Sequence, residues 1–470
     1  MAEKDRVTSD APQRREEREE QIARILKRVE DRLRNELPTG PQTLDQIEQR
    51  VEEIGEQIKR EIQDEVVDAQ GTGHAGVTLP CSCGGLARYR GDAVRSVVTI
   101  QGAQSIARAY YYCSSCRKGL HPLDRTLELG RGLCSVRVRA LACRFASYLP
   151  FSVAARELEL VCGIRLSASS VQRLAKETGR HLRGEWEARE KRLREHPNAE
   201  PKGPGPKQLH ISMDGVMAHV GGAWREVKLG VCYERSSSAG SVEAGAAPNS
   251  AAYYATLASS EQFGRRLRAL GWVAKEPLCR HVAVLADGSD WIWKEAAKHF
   301  TQRTQILDFF HASEHLWSVA RVRFSPSAID PGPNVRQEAE QEASDAAREW
   351  VSQQKAKLLE ADNGVTLVLQ DIRAWTPRTQ TGQEVRRKEL GYFTQHAQRM
   401  HYKAYKEAGF HIGSGVMESS CRWVVQQRMK GAGMRWSYEG AECMLQLRTT
   451  WCSRNQQELL NAARAATLAA

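Results

Sequence analysis

Two apolar runs that each close in Asp-Gly constrain this chain most: Leu209-His210-Ile211-Ser212-Met213-Asp214-Gly215 and His281-Val282-Ala283-Val284-Leu285-Ala286-Asp287-Gly288. Short apolar runs bounded by turn residues read as buried strands. A lone Asp-Gly is commonly a hairpin turn. Two of them after apolar strands instead gather acidic groups at one edge of a sheet, where oxygen ligands bind divalent cations. The stretch from Trp224 to Tyr233 reads as the antiparallel neighbour of the first run, and a helix is predicted from near Trp291 after the second. A third acidic candidate is Glu418, in Gly413-Ser414-Gly415-Val416-Met417-Glu418-Ser419-Ser420, where glycines precede a helix running through Val424 and Val425. On pattern alone, Glu418 reads equally well as a solvent-facing helix glutamate.

The 470 residues suffice for roughly two to four domains. Lys plus Arg total 68 against 57 Asp plus Glu, a net charge of +11. Residues 1–70 hold 13 basic and 19 acidic side chains, so the remainder carries a net +17 and favours a polyanionic partner. No run of about 18 apolar residues occurs, and a charged stretch opens the chain where a signal peptide would be apolar. A soluble cytoplasmic protein without a membrane partner is expected. Eight cysteines (Cys134, Cys143, Cys162, Cys232, Cys279, Cys421, Cys443 and Cys452) stand alone in sequence and read as reduced and mostly packed.

The other four are paired. Cys81-Ser82-Cys83 and Cys113-Ser114-Ser115-Cys116 bracket two predicted strands around Gln101-Gly102, the layout of a zinc ribbon in which four thiolates hold one structural Zn2+. The first pair has one intervening residue where such knuckles usually have two, so His121 or His74 stands as a substitute ligand. Upstream, residues 13–68 form two helices broken at Pro38-Thr39-Gly40-Pro41. Leu44, Ile47, Val51, Ile54 and Ile58 follow a heptad rhythm that either dimerises or lies on its own core. Downstream, helices are predicted over 135–148 and 151–161, and a third from Ser167 after the turn at Gly163. This is a helix-turn-helix pattern, and residues 131–196 carry 14 basic and 7 acidic side chains. Ser169, Gln172 and Arg173 would face DNA. The Pro/Gly-rich residues 197–207 read as a stiff linker.

Longer composite motifs carry a resemblance. Leu285-Ala286-Asp287-Gly288-Ser289-Asp290-Trp291-Ile292-Trp293 is followed by Ile306-Leu307-Asp308-Phe309-Phe310-His311-Ala312-Ser313-Glu314-His315-Leu316-Trp317. Next come the Glu418 motif and Arg428-Met429-Lys430-Gly431-Ala432-Gly433-Met434-Arg435-Trp436. Together with the Cys pairs, including Ala109-Tyr110-Tyr111-Tyr112-Cys113, these resemble bacterial insertion-sequence transposases of the ISKra family over roughly residues 75–452. The resemblance implies an RNase H-like catalytic core of the DDE type, in which Asp214, Asp287 and Glu418 hold two Mg2+ (or Mn2+) ions. It also implies a bacterial, nucleoid-associated enzyme acting on double-stranded DNA, both element ends and target, as a homo-oligomer. Whether an RNA partner takes part is not legible.

The expected fold is multidomain α+β. It comprises a helical N-terminus (1–70), a zinc ribbon (75–125), a helix-turn-helix domain (131–196) and a linker (197–207). An RNase H-like α/β catalytic core (208–452) with a helical insertion (320–395) and a C-terminal tail (453–470) follow. The insertion accounts for the 131-residue spacing from Asp287 to Glu418. Arg422, Arg428, Lys430 and Arg435 would meet phosphates, Asp308, His311 and His315 would support the site, and Trp291, Trp293 or Trp436 could stack on an unpaired base. The expected activity is Mg2+-dependent strand cleavage and strand transfer. Competing readings are a non-catalytic DNA-binding regulator descended from such an enzyme, and a nuclease that cuts without joining.

Overall fold

The computed structural model describes residues 10–234, 250–325 and 333–469. The fold is mixed α+β and divides into two compact units, residues 1–178 with 460–470, and residues 179–459. The division falls inside a long helix.

In the first unit, α1 (Asp10–Glu36) and α2 (Leu44–Asp68) form a helical hairpin. Thr43 caps α2 through a reciprocal capping box with Gln46. Arg24 pairs with Glu65 at 2.8 Å and Arg32 with Glu61, so ion pairs link the two helices. Of the heptad positions, Ile54 is buried, whereas Leu44, Ile47 and Val51 are exposed. The first half of that seam therefore does not lie on a core of its own.

An antiparallel sheet follows in the order β1 (Thr78–Pro80), β2 (Leu86–Thr99), β3 (Gly102–Cys113), β4 (Lys118–Leu120). The pairing Thr99↔Gly102 closes the predicted hairpin, and a bulge at Gly91 shifts the register. Then come α3 (Pro122–Thr126), α4 (Val136–Tyr148), α5 (Phe151–Cys162) and α6 (Ala168–Glu195). Gly163 ends α5 in the left-handed conformation (φ 63°).

Beyond Thr178, α6 belongs to the second unit, where Trp186 joins the core and Glu190 pairs with Arg265 at 2.7 Å. The expected linker, 197–207, also lies within that unit. Trp272 Nε1 donates to the Ala199 carbonyl at 2.9 Å and Lys275 Nζ to that of Pro204 at 3.1 Å.

The second unit is built on a five-stranded mixed sheet. Its strands are β5 (Gln208–Val220), β6 (Ala223–Glu234), β7 (Ala252–Thr256), β8 (His281–Ala286) and β9 (Thr304–Leu307), ordered β7-β6-β5-β8-β9. The first three are antiparallel, and β8 and β9 run parallel to β5. Residues 282–286 are all buried, as expected of a parallel strand covered on both faces. Around the sheet lie α7 (Ser260–Val273), α8 (Asp290–His299) and α9 (Phe309–Arg323).

Helices α10 (Pro333–Glu360), α11 (Gly364–Ala374) and α12 (Gln380–His396) fill the sequence interval where a helical insertion is expected. They contribute Trp350, Val351, Leu358, Val368 and Phe393 to the same core as the sheet. The chain continues through α13 (Tyr402–Glu407) and α14 (Gly415–Ser420), then a π-helical segment (Cys421–Gln426) that runs unbroken into α15 (Gln427–Met429). Helix α16 (Tyr438–Cys452) packs on β7, where buried Gln446 donates to the Ala255 carbonyl at 2.8 Å. The expected tail is a helix, α17 (Gln456–Ala469), whose residues from Leu460 on belong to the first unit. There Arg464 pairs with Glu128 at 2.9 Å, and a Cβ on Gly130 would overlap the Thr467 carbonyl.

Candidate functional site

Asp214 and Asp287 reach the same sheet edge by different routes. Strand β5 is longer than the sequence suggests, so Asp214 sits mid-strand, opposite Leu229 of β6. Its parallel pairing with β8 ends earlier, at Ser212↔Leu285. Asp214 is therefore two residues past the parallel ladder, and Asp287 is the first residue beyond β8. Glu418 comes from α14 and lines the same cavity of ≈ 600 Å³ as the two aspartates. Asp308, His311, Ser414, Cys421, Arg422 and Lys430 also line it.

Each carboxylate has its own surroundings. Asp214 accepts from the Gly215 N–H at 2.6 Å and from the Cys421 thiol at 3.4 Å. Burial holds its pKa above the usual carboxylate value, and the charge of Asp287 adds to the rise. Asp287 accepts from the Ser289 N–H at 2.9 Å and hydroxyl at 3.1 Å, a turn that fixes its rotamer. Glu418 is exposed and paired with Arg422, four residues on, at 2.6 Å. The three groups thus line one cavity without closing into one ligand cluster. All are oxygen donors of the kind that suits Mg2+ or Mn2+, and the like-charge strain on Asp214 is what a bound cation would relieve.

The supporting residues separate by role. Asp308 caps α9 through the Phe310 N–H at 2.9 Å and accepts from the Ser414 hydroxyl at 2.5 Å and N–H at 3.3 Å. It ties the end of β9 to the segment that launches Glu418. His311 faces Glu314 at 3.5 Å and borders the cavity. His315 bonds Glu389 of α12 at 2.5 Å and stacks on Tyr392 at 3.5 Å. Glu389, Tyr392 and Cys421 escaped sequence reasoning. Cys421 alone had a local signal, being one helical turn after Glu418.

Several expected contacts are corrected. Arg428 is buried, its guanidinium 4.8 Å from the Trp436 ring centre, and burial depresses its pKa to about 10. It cannot face a phosphate from there. Arg422, Lys430 and Arg435 are exposed. Trp293 and Trp436 are buried and closed to a base, and the half-buried Trp291 packs edge-on against Phe263 at 5.7 Å. In the first unit, Ser169, Gln172 and Arg173 lie exposed on α6, while Val171 and Leu174 face inward. Arg173 keeps a 3.7 Å pair with Glu177.

The four paired cysteines do converge. Their sulfurs all lie within 4.8 Å of one another, the one group of three or more metal-ligating side chains so placed among the described residues. The contacts Cys81···Cys116 at 3.6 Å and Cys83···Cys113 at 3.7 Å match the edge of a tetrahedron with Zn–S bonds of about 2.3 Å, roughly 3.8 Å. They are far beyond a disulfide, whose S–S distance is about 2.05 Å. The Cys116 N–H stabilises the Cys113 thiolate and lowers its pKa to about 6. This cluster can bind a structural metal such as zinc, and neither His74 nor His121 belongs to it. The single-residue spacing is accommodated by a tight turn in which Gly84 N–H donates to the Cys81 carbonyl at 2.9 Å.

No protein-family model matches this chain, and no curated protein matches it. No helix among the described residues is long and apolar enough to cross a membrane.

Proposed function

We propose that this protein is a DDE-type transposase with an RNase H-like core, which cleaves and joins DNA at Asp214, Asp287 and Glu418. The observation that carries the reading is the meeting of these three carboxylates, from β5, the end of β8 and α14, at one cavity. Two features support it: a five-stranded sheet whose first three strands are antiparallel and whose last two follow the first in parallel, and a long helical interval before the third acid.

Two Mg2+ or Mn2+ ions, when bound, would activate the attacking oxygen and stabilise the leaving one in an in-line displacement. Asp214, Asp287 and Glu418 would hold them, with Glu418 leaving its pair with Arg422. The freed guanidinium would then meet a phosphate, as would Lys430 at the cavity and Arg435. Asp308, through Ser414, keeps the Glu418 helix in register with the sheet edge. The exposed face of α6 bearing Ser169, Gln172 and Arg173 would read the element end, and the cysteine site would hold its hairpin rigid.

The Glu418–Arg422 pair is also what a non-catalytic DNA-binding descendant would show, and one comparison separates the two. Purified wild type should nick labelled duplex DNA from the element ends in Mg2+, while Asp287→Asn should bind it equally and lose cutting at least 100-fold, about 2.7 kcal/mol of barrier. Full cutting by Asp287→Asn would refute the catalytic assignment. Binding without cutting by wild type would favour the regulator.

A further inference from the structure

Of the large exposed aromatics in the second unit, two adjoin residues that line the acidic cavity, Phe310 beside His311 and Trp224 beside Lys430. Phe310 is 64% exposed beside His311, and Trp224 is 61% exposed on the β5–β6 hairpin. Phe310 is held in place. Its backbone N–H is tied to Asp308, and its ring sits against Gly413, where an added Cβ would come within 2.6 Å of Cε2. Trp224 lies beneath a cation, with Lys430 Nζ 5.8 Å from its ring centre. The Gly221 N–H donates to the Trp436 carbonyl at 2.8 Å and fastens that hairpin tip to the segment after Lys430.

Between these two rings runs the helix of α14, the π-helical segment and α15. Glu418, Arg422, Gln426 and Lys430, at steps of four, all line the cavity. The helical run from Gly415 to Met429 is unbroken. The wall therefore offers cations and an amide along its length, with an aromatic face at either end. Duplex DNA hides its bases in the stack, so such faces serve only a strand whose bases are unpaired.

We propose that this groove binds an unpaired DNA strand, with Phe310 and Trp224 stacking bases on either side of the phosphate at the acidic centre and Arg422 and Lys430 holding the backbone. The proposal rests on the transposase reading and adds the state of its substrate: the strand is unpaired around the cut. Trp291, Trp293 and Trp436 play no part, because their rings are packed.

The test is fluorescence anisotropy with full-length, zinc-loaded protein in buffer without added Mg2+ or Mn2+, using a labelled oligothymidylate of about 20 nucleotides and the corresponding duplex. Phe310→Ala and Trp224→Ala should each weaken binding of the single strand by about tenfold or more. Phe310→Tyr and Trp224→Phe should retain it, and duplex affinity should move by less than about twofold. Single-strand affinity unchanged in both alanine variants, or an equal loss for duplex, would overturn the proposal. Because neither Mg2+ nor Mn2+ is added, the result is independent of cutting. If the stacking variants lose the single strand but wild type never cuts in Mg2+, the groove stands and the transposase reading fails. If wild type cuts and the alanine variants bind and cut like it, only the groove assignment fails.

Discussion

Asp214 sets folding stability against chemistry. Its pKa is raised in the folded protein above the ordinary value of 3.8, so between those two values the native state takes up protons that the unfolded chain does not. Stability from this group is therefore present at low pH and lost as pH rises through the raised pKa. Without added Mg2+ or Mn2+, Asp214→Asn should melt at a higher temperature than wild type at pH 7, and the difference should vanish below pH 3.8. Equal melting temperatures at both pH values would mean that Asp214 is not strained. At the cysteine cluster, wild type should carry about one zinc per chain by elemental analysis, and Cys83→Ser and Cys113→Ser should each lose it. Undiminished zinc in Cys83→Ser would exclude the exposed member of the tight pair as a ligand. Glu418 carries no local mark, whereas the thiol pairs and the two aspartates were legible in sequence because each announces itself locally, as paired cysteines or as Asp-Gly after an apolar run. Arg428 was not, since its burial depends on Trp436 and Met434, which reach it only through the fold.

At the scale of elements, the helix carrying Glu418 depends on an internal prop. A π-helical turn loosens the regular carbonyl ladder, and such turns gather at functional sites. The fully buried Arg448 of α16 answers it by donating to the Trp423 and Val424 carbonyls and to the Gln427 side chain. Arg448→Met should lower unfolding free energy by about 3 kcal/mol in urea titration, because the carbonyls lose a charged donor while staying buried. A change within about 0.5 kcal/mol would show that water replaces the guanidinium. Apolar periodicity disclosed where the helices and strands lie, but not their lengths. Strand β5 continues past Asp214 because β6 pairs with it as far as Val220↔Ala223, and the hairpin outlives the parallel ladder. The π-helical turn has no such signature, being fixed by Arg448 from another helix.

At the scale of the molecule, proline and glycine content misplaced a boundary. Residues 197–207 look like a linker but are tied to Trp272 and Lys275, while the division between compact units passes through α6 at Thr178–Gly179, where the helix continues unbroken. Compactness follows tertiary contacts that composition does not encode. The charge distribution, net +17 beyond residue 70, leads to a salt test. Arg422→Gln and Lys430→Gln should each make the log–log salt slope of duplex binding shallower by about 0.9, whereas Arg428→Gln should leave it unchanged. A shallower slope for Arg428→Gln would place that guanidinium on DNA after all. The central claim is settled most directly by incubating wild type and Asp214→Ala with labelled DNA from the element's ends and a plasmid target, with and without Mg2+. Metal-dependent cutting and joining by wild type and neither by Asp214→Ala is the expected result. Joining that persists in Asp214→Ala, or none by wild type under conditions where it binds the ends, would contradict it.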